Sequence, residues 1–206
     1  MPSHTGFPRT NASGIALPTG LYDPAYLLAV RRVCDAHQVH WIGDEIATGF
    51  GRTGTLFAHQ QAIGADGHAV KPDFICLSKG LTGGVLPLSA VLTTDAVYAA
   101  FYDDQVARGF LHSHSYTGNP LACSAALAVL DILEEDQMIA RNRNTAARIN
   151  LAVGGLRTHK RVANFRQRGM IWAFDVDSPR SDFAVAFQGL FLAFQERGLV
   201  AEKILR

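Results

Sequence analysis

The sequence predicts an α/β protein. Three apolar runs, residues 39–43 (VHWIG), 74–77 (FICL) and 88–92 (LSAVL), have the length and composition of strands buried on both faces of a largely parallel sheet. Helix signals precede and follow them. Beyond Gly154-Gly155 the pattern changes to two alternating strands and a helix, the order of an α+β unit.

Taken in order, residues 1–19 are polar, short of acids and rich in turn formers, with no apolar core of a secretory signal, and read as an unstructured or misplaced start. Asp23-Pro24 is a cap followed by proline at the first helical position. Leu27, Val30, Val33 and Cys34 then recur on one face to about His37. After the three strands, Asn119 caps and Pro120 opens a helix to about Leu133, and a more polar helix runs from about Gln137 to Val153. Residues 162–167 and 170–176 read as two strands joined by a tight turn at Arg168-Gly169, and Phe183, Phe187, Leu190, Phe191 and Phe194 form a wide apolar helix stripe belonging to a core. The expected domains are residues 20–134 and 135–206.

The 206 residues are 48% hydrophobic and 18% charged, enough to bury a substantial core. A formal charge of +1, with no basic run interleaved with aromatics, speaks against a nucleic-acid partner, and no apolar stretch reaches the roughly 20 residues that span a bilayer. The expected compartment is the cytoplasm. Cys34, Cys76 and Cys123 are far apart and odd in number, without Cys-x-x-Cys, and read as buried free thiols.

Residues 49–54 (GFGRTG) match the three-glycine spacing of a dinucleotide loop. Their context differs from one: two acids, Asp44 and Glu45, come first, at the carboxyl end of a strand, and Thr55-Leu56-Phe57 puts bulk where a phosphate should approach. An acid at a strand end has another use. If the strand continues, Asp44 and Ile46 face the same way, so the carboxylate can bond a protonated ring nitrogen while the branched side chain packs on the ring. At the end of the next apolar strand comes Lys79 among small residues, where partial desolvation favours the neutral, nucleophilic amine. An aspartate with such a lysine suits pyridoxal 5'-phosphate: the lysine forms the Schiff base and the acid keeps the pyridinium charged as an electron sink.

Three blocks, DEIATGFGRTG from Asp44, FICLSKGLTGG from Phe74 and HSHSYTGNPLAC from His112, resemble the class III aminotransferases of fold type I. Within the family they are most similar to the biotin-pathway subgroup that aminates 8-amino-7-oxononanoate. The resemblance implies the later part of the large pyridoxal-phosphate-binding domain, with a mixed or parallel sheet, and the start of the small α+β carboxyl-terminal domain. It implies Lys79 and Asp44 as catalytic and cofactor-binding residues, Ile46 as a ring-packing residue, and Ser115 as a contact to the phosphate of the neighbouring subunit's cofactor in a homodimer. Arg52 and Ser113 are the candidate substrate contacts, and adenosylmethionine is the expected amino donor. No metal is expected.

Members of the family are about twice as long as this chain. Their amino-terminal half, with its own-subunit phosphate loop and ring-stacking aromatic, has no counterpart here, so the 206 residues are expected to bind the cofactor weakly and to show no aminotransferase activity alone. Relatives place a carboxylate-binding arginine near Arg206, but the spacing does not assign it. Ser113 stands where relatives often have glycine, and Ser115 where many have threonine. Arg52 has two further readings, satisfying loop carbonyls or pairing with Glu45, and His112 with His114 reads as loop packing before metal ligation. The competing functions are a dinucleotide-dependent oxidoreductase using residues 49–54, another class III aminotransferase, and an inactive relic.

Overall fold

The computed structural model describes Ile15–Ala16 and residues 20–176. The chain divides into two compact units, Met1–Ala152 with Arg166–Trp172, and Val153–Phe165 with Ala173–Arg206. The phenylalanine stripe from Phe183 to Phe194, Arg206 and most of residues 1–19 lie outside the described residues. At the start, β1 (Ile15–Ala16) pairs antiparallel with β2 (Gly20–Leu21).

In the first unit, α1 (Pro24–Ala36) begins where the sequence signals it, because the Asp23 carboxylate accepts a hydrogen bond from Ala25 N at 2.8 Å and Pro24 fills a position that needs no donor. Leu27 of α1 packs with Trp41 and Ala62 in a buried core, flanked by Leu28, Val30, Cys34 and Val70. The expected apolar stripe is only partly buried. Val33 is 57% exposed, because it lies on the side of α1 that faces an open groove.

The central sheet has the order β3 (Ile42–Asp44), β4 (Phe74–Leu77), β5 (Ala90–Thr93). β3 and β4 are parallel, with Asp44 opposite Cys76, and β5 runs antiparallel to β4. The sheet is therefore mixed. β3 lies further along the chain than the expected 39–43, because the Asp73 carboxylate takes the Trp41 N–H at 2.7 Å while Asp73 N and Phe74 N both donate to Trp41 O. Nor is the sheet buried on both faces: Leu77 is, but Ile42, Val91 and Leu92 are exposed.

β5 leads into α2 (Asp95–Phe101), a short helix capped by the Thr94 hydroxyl that the sequence reading did not include. α3 (Pro120–Glu135) starts at the Asn119 cap, which accepts from Leu121 N at 3.0 Å, and α4 (Met138–Ala152) follows as expected. β6 (Val162–Arg168) and β7 (Ile171–Val176) pair with each other across Gly169 and Met170, and Met170 N donates to Arg52 O at 2.8 Å. Cys34, Cys76 and Cys123 are free but half-buried rather than buried. Among the described residues no helix is long and apolar enough to cross a membrane.

Candidate active site

Parallel pairing brings the carboxyl ends of β3 and β4 to the same edge of the sheet, the edge where open α/β sheets bind ligands. Asp44 ends β3 and is half-buried. The strand stops there, so alternation does not set the direction of Ile46. Instead Ile46 N donates to Asp44 Oδ1 at 3.0 Å, and this turn brings both residues to the wall of one groove of about 1130 Å³, lined also by Ile42, Phe74, Cys76 and Val30. The groove is mostly apolar in its lining. Asp44 Oδ2 takes no hydrogen bond among the described residues. Burial pushes the Cys76 thiol above its ordinary range, and the negative charge of Asp44 beside it adds to the rise.

Lys79 follows β4 after one extended residue, Ser78, whose hydroxyl donates to Leu88 O at 2.8 Å. The lysine opens a 3-10 turn, Lys79–Thr82, at φ 44°, in the left-handed region that non-glycine residues seldom adopt. Buried Leu81 and Thr82 hold the turn, the Thr82 hydroxyl donating to Leu86 O. Partial desolvation of Lys79 is not seen: the residue is exposed, because the turn anchors inward through Leu81 and Thr82 and leaves the lysine at its outer edge. Lys79 is not among the residues lining the groove of Asp44 and Ile46.

The residues of the other two proposed contacts are more open. Ser113 and Ser115 are exposed in the segment before α3, where His114 Nδ1 accepts from Tyr116 N and His114 N donates to the Thr117 hydroxyl. Among the described residues no cluster of three His, Cys, Asp or Glu side chains could hold a metal ion. Arg52 is exposed in its loop and does not pair with Glu45.

Glu45 has other partners, which the sequence reading missed. Its side chain is fully buried. Oε1 accepts from His59 N at 3.0 Å and lies 3.1 Å from His59 Nδ1, and Oε2 accepts from the Thr48 hydroxyl at 2.6 Å. Burial alone would raise this carboxyl, but hydrogen bonds from the His59 ring, Thr48 and the His59 backbone outweigh it and hold it below its ordinary value. The signal available in the sequence was an acid directly after Asp44 with a histidine fourteen positions on, too common a pattern to single out.

The loop of residues 49–54 does not open a helix; it turns several times and reaches a short 3-10 turn at Ala58–Gln61. Two of its glycines serve packing. A Cβ on Gly51 would lie 2.6 Å from Ile139 Cδ1 of α4, and one on Gly49 would lie 3.0 Å from Glu45 O.

The class-III aminotransferase family model matches residues 18–204. The adenosylmethionine-8-amino-7-oxononanoate aminotransferase of Helicobacter pylori is 45% identical over 161 residues, covering 76% of this chain and 36% of that protein. The crystal structure of the adenosylmethionine-8-amino-7-oxononanoate aminotransferase from Methanocaldococcus jannaschii matches with a TM-score of 0.70 at 35% identity, over 83% of this chain and 38% of that one. Acetylornithine aminotransferase from Elizabethkingia anophelis matches with a TM-score of 0.72 at 30% identity, over 88% of this chain and 44% of that one. The chain spans about a third of the length of the curated relatives it matches. Enzymes of this family use pyridoxal phosphate. The order of Asp44, Lys79 and the segment before α3, the mixed sheet and the family match all agree: the chain belongs to the class-III aminotransferases.

Proposed function

We propose that this chain carries the aspartate and lysine centre of a pyridoxal-phosphate-dependent aminotransferase that converts 8-amino-7-oxononanoate to 7,8-diaminononanoate in biotin biosynthesis, with adenosylmethionine as amino donor. The observation that supports it most is the parallel register of β3 and β4, which sets Asp44 and Lys79 at the same end of adjacent strands. Asp44 and Ile46 fit the cofactor: Asp44 offers a carboxylate oxygen that takes no hydrogen bond among the described residues, and Ile46 supplies an apolar surface on the same wall. When bound, the cofactor ring supplies the electron sink for proton removal beside an amine. Asp44 would hold a proton on the ring nitrogen. Lys79 Nζ would anchor the cofactor at its aldehyde and, once the substrate amine has displaced it there, would take and return the substrate proton as general base and acid.

In this reading Ser115 reaches the cofactor phosphate of a second subunit of a homodimer, beside the positive amino-terminal end of α3. Arg52 and Ser113 contact substrate, residues 20–134 and 135–206 contribute to the large and small domains, and the enzyme works in the cytoplasm. Among the structure matches, the 35% identity to the Methanocaldococcus jannaschii enzyme against 30% to the acetylornithine enzyme supports this substrate over others of the class, as does the 45% sequence identity to the Helicobacter pylori enzyme. The test adds pyridoxal phosphate to the purified chain, reduces with borohydride and maps the added mass. Mass on Lys79, lost in Lys79→Ala, is expected, and an unreduced sample loaded instead with pyridoxamine phosphate should change its absorbance on adding 8-amino-7-oxononanoate, the amino acceptor. Mass spread over surface lysines alike would refute the site, and a response to other keto acceptors alone would refute the substrate.

A further inference from the structure

We propose that Glu45 and His59 are positioning residues, a buried strut that fixes Asp44 and Lys79 relative to each other. The role rests on the reading that Asp44 and Lys79 form the cofactor pair. Glu45 is next to Asp44, and its backbone N donates to Cys76 O at 3.0 Å, which ties it to β4 three residues before Lys79. Its carboxylate gathers the Thr48 hydroxyl, His59 N and the His59 ring, closing residues 45–59 into one frame. An ionised carboxylate only accepts, so His59 Nδ1 carries the hydrogen.

The frame then continues toward the lysine through rings. His59 stacks on Phe57, with centroids 5.8 Å apart and planes 11° apart, and Phe57 meets Phe50 edge to face at 5.9 Å. Phe50 lies on Gly80, the residue after Lys79, so closely that a Cβ there would be 2.7 Å from Phe50 Cδ2. One buried carboxylate thus grips the Asp44 side by hydrogen bonds and the Lys79 side by packing. Burying a carboxylate is costly unless its acceptors are filled, and a filled buried network rigidifies what it joins. Apolar side chains would fill the same space without fixing the direction of the loop.

The test uses the whole chain and the variants His59→Leu, His59→Asn and Glu45→Gln. Amide hydrogen exchange, followed by mass spectrometry without cofactor, should be about tenfold faster in His59→Leu in two separate segments, residues 44–50 and 78–83, neither of which contains the substitution. His59→Asn, whose side-chain amide replaces the Nδ1 donor, should restore both segments to within about threefold. In parallel, the pyridoxal phosphate concentration that half-modifies Lys79 before borohydride reduction should rise about 10- to 100-fold in His59→Leu and recover in His59→Asn. Should His59→Leu not fold, Glu45→Gln keeps the shape without the charge and should speed exchange in the same two segments. Faster exchange confined to residues 57–62, or an asparagine variant no better than the leucine one, would overturn the proposal. A parent chain whose Lys79 takes up no pyridoxal phosphate would overturn the function proposed above, and the exchange measurement would still decide on the strut.

Discussion

Replacing Gly80 by alanine tests the packing of Phe50 on Gly80, the link proposed between Asp44 and Lys79, and its sign is diagnostic. Gly80 is not in the left-handed region, so alanine fits its backbone, and in the absence of a clash the loss of unfolded-state freedom would stabilise the chain by about 0.4–1 kcal/mol. The structure predicts the opposite. The new Cβ would lie 2.7 Å from Phe50 Cδ2, 2.9 Å from Phe50 Cβ and 3.0 Å from Phe50 Cγ. Rotating the ring relieves only the first and last of these contacts, since Phe50 Cβ is set by the backbone, and that backbone is held at φ 58°. The loop itself must move. Overpacking of this kind costs about 1–3 kcal/mol, and a chain of this length loses roughly 2–4 °C per kcal/mol, so Tm should fall by about 4–8 °C for a mid-range cost. Thermal unfolding followed by circular dichroism measures it, with Phe50→Ala and the double variant completing a cycle. The cycle should return a coupling of about 1 kcal/mol or more, since removing the ring removes the clash. A Tm at or above the parent's, or additive effects, would refute the contact.

Other expectations follow from the same coordinates. Lys79→Gly should be more stable than Lys79→Ala by about 1 kcal/mol in urea unfolding, because only glycine adopts φ 44° without strain; equal midpoints would mean an unstrained turn. Asp44→Asn removes the charge that helps raise the Cys76 thiol, so alkylation by iodoacetamide at mildly alkaline pH should be faster than in the parent, and an unchanged rate would separate the two side chains. Burial alone would raise the Asp73 carboxyl, but the Trp41 N–H and Arg31 outweigh it and hold it below its ordinary value of 3.8, as Glu45 is held below 4.5. Depressed carboxylates stabilise the fold above their unfolded values and lose that contribution as pH falls, so stability should drop from about pH 5 to about pH 3, less steeply in Asp73→Asn; parallel curves would contradict the linkage.

What the sequence reveals of this fold is what short-range chemistry controls. Asp23-Pro24 and Asn119-Pro120 start α1 and α3 because cap and proline act within one turn, and FICL becomes β4 with no adjustment. β3 is displaced because its entry is set by Asp73, 32 residues beyond Trp41, a hydrogen bond that no local pattern announces. The direction of β5 is equally remote from its composition: the run LSAVL reads as a strand but says nothing of whether it returns antiparallel beside β4. Apolar content also overstates burial. Val33, Ile42 and Val91 are hydrophobic by type and exposed by position, since burial depends on what packs opposite.

At the site the same division holds. The strand-end positions of Asp44 and Lys79 are legible because each closes or closely follows an apolar run, and a strand end can be read from one segment at a time. Strand alternation is the wrong ground for placing Ile46 with Asp44, since a turn closed by Asp44 Oδ1 brings both to the groove. Glu45 and His59 were invisible because their meaning lies only in the contact between them. The glycine loop shows why spacing alone misleads. Gly49 and Gly51 recur at dinucleotide spacing, yet each gives way to a neighbour that is itself protein, the Glu45 carbonyl and the Ile139 side chain. Close approach is what these glycines provide, and a bound phosphate and a packed helix demand it equally. A motif of small residues therefore reports clearance; the chemistry has to be argued from charged residues around it, here the proposed pair of Asp44, before the loop, and Lys79, next to the Gly80 that packs on Phe50.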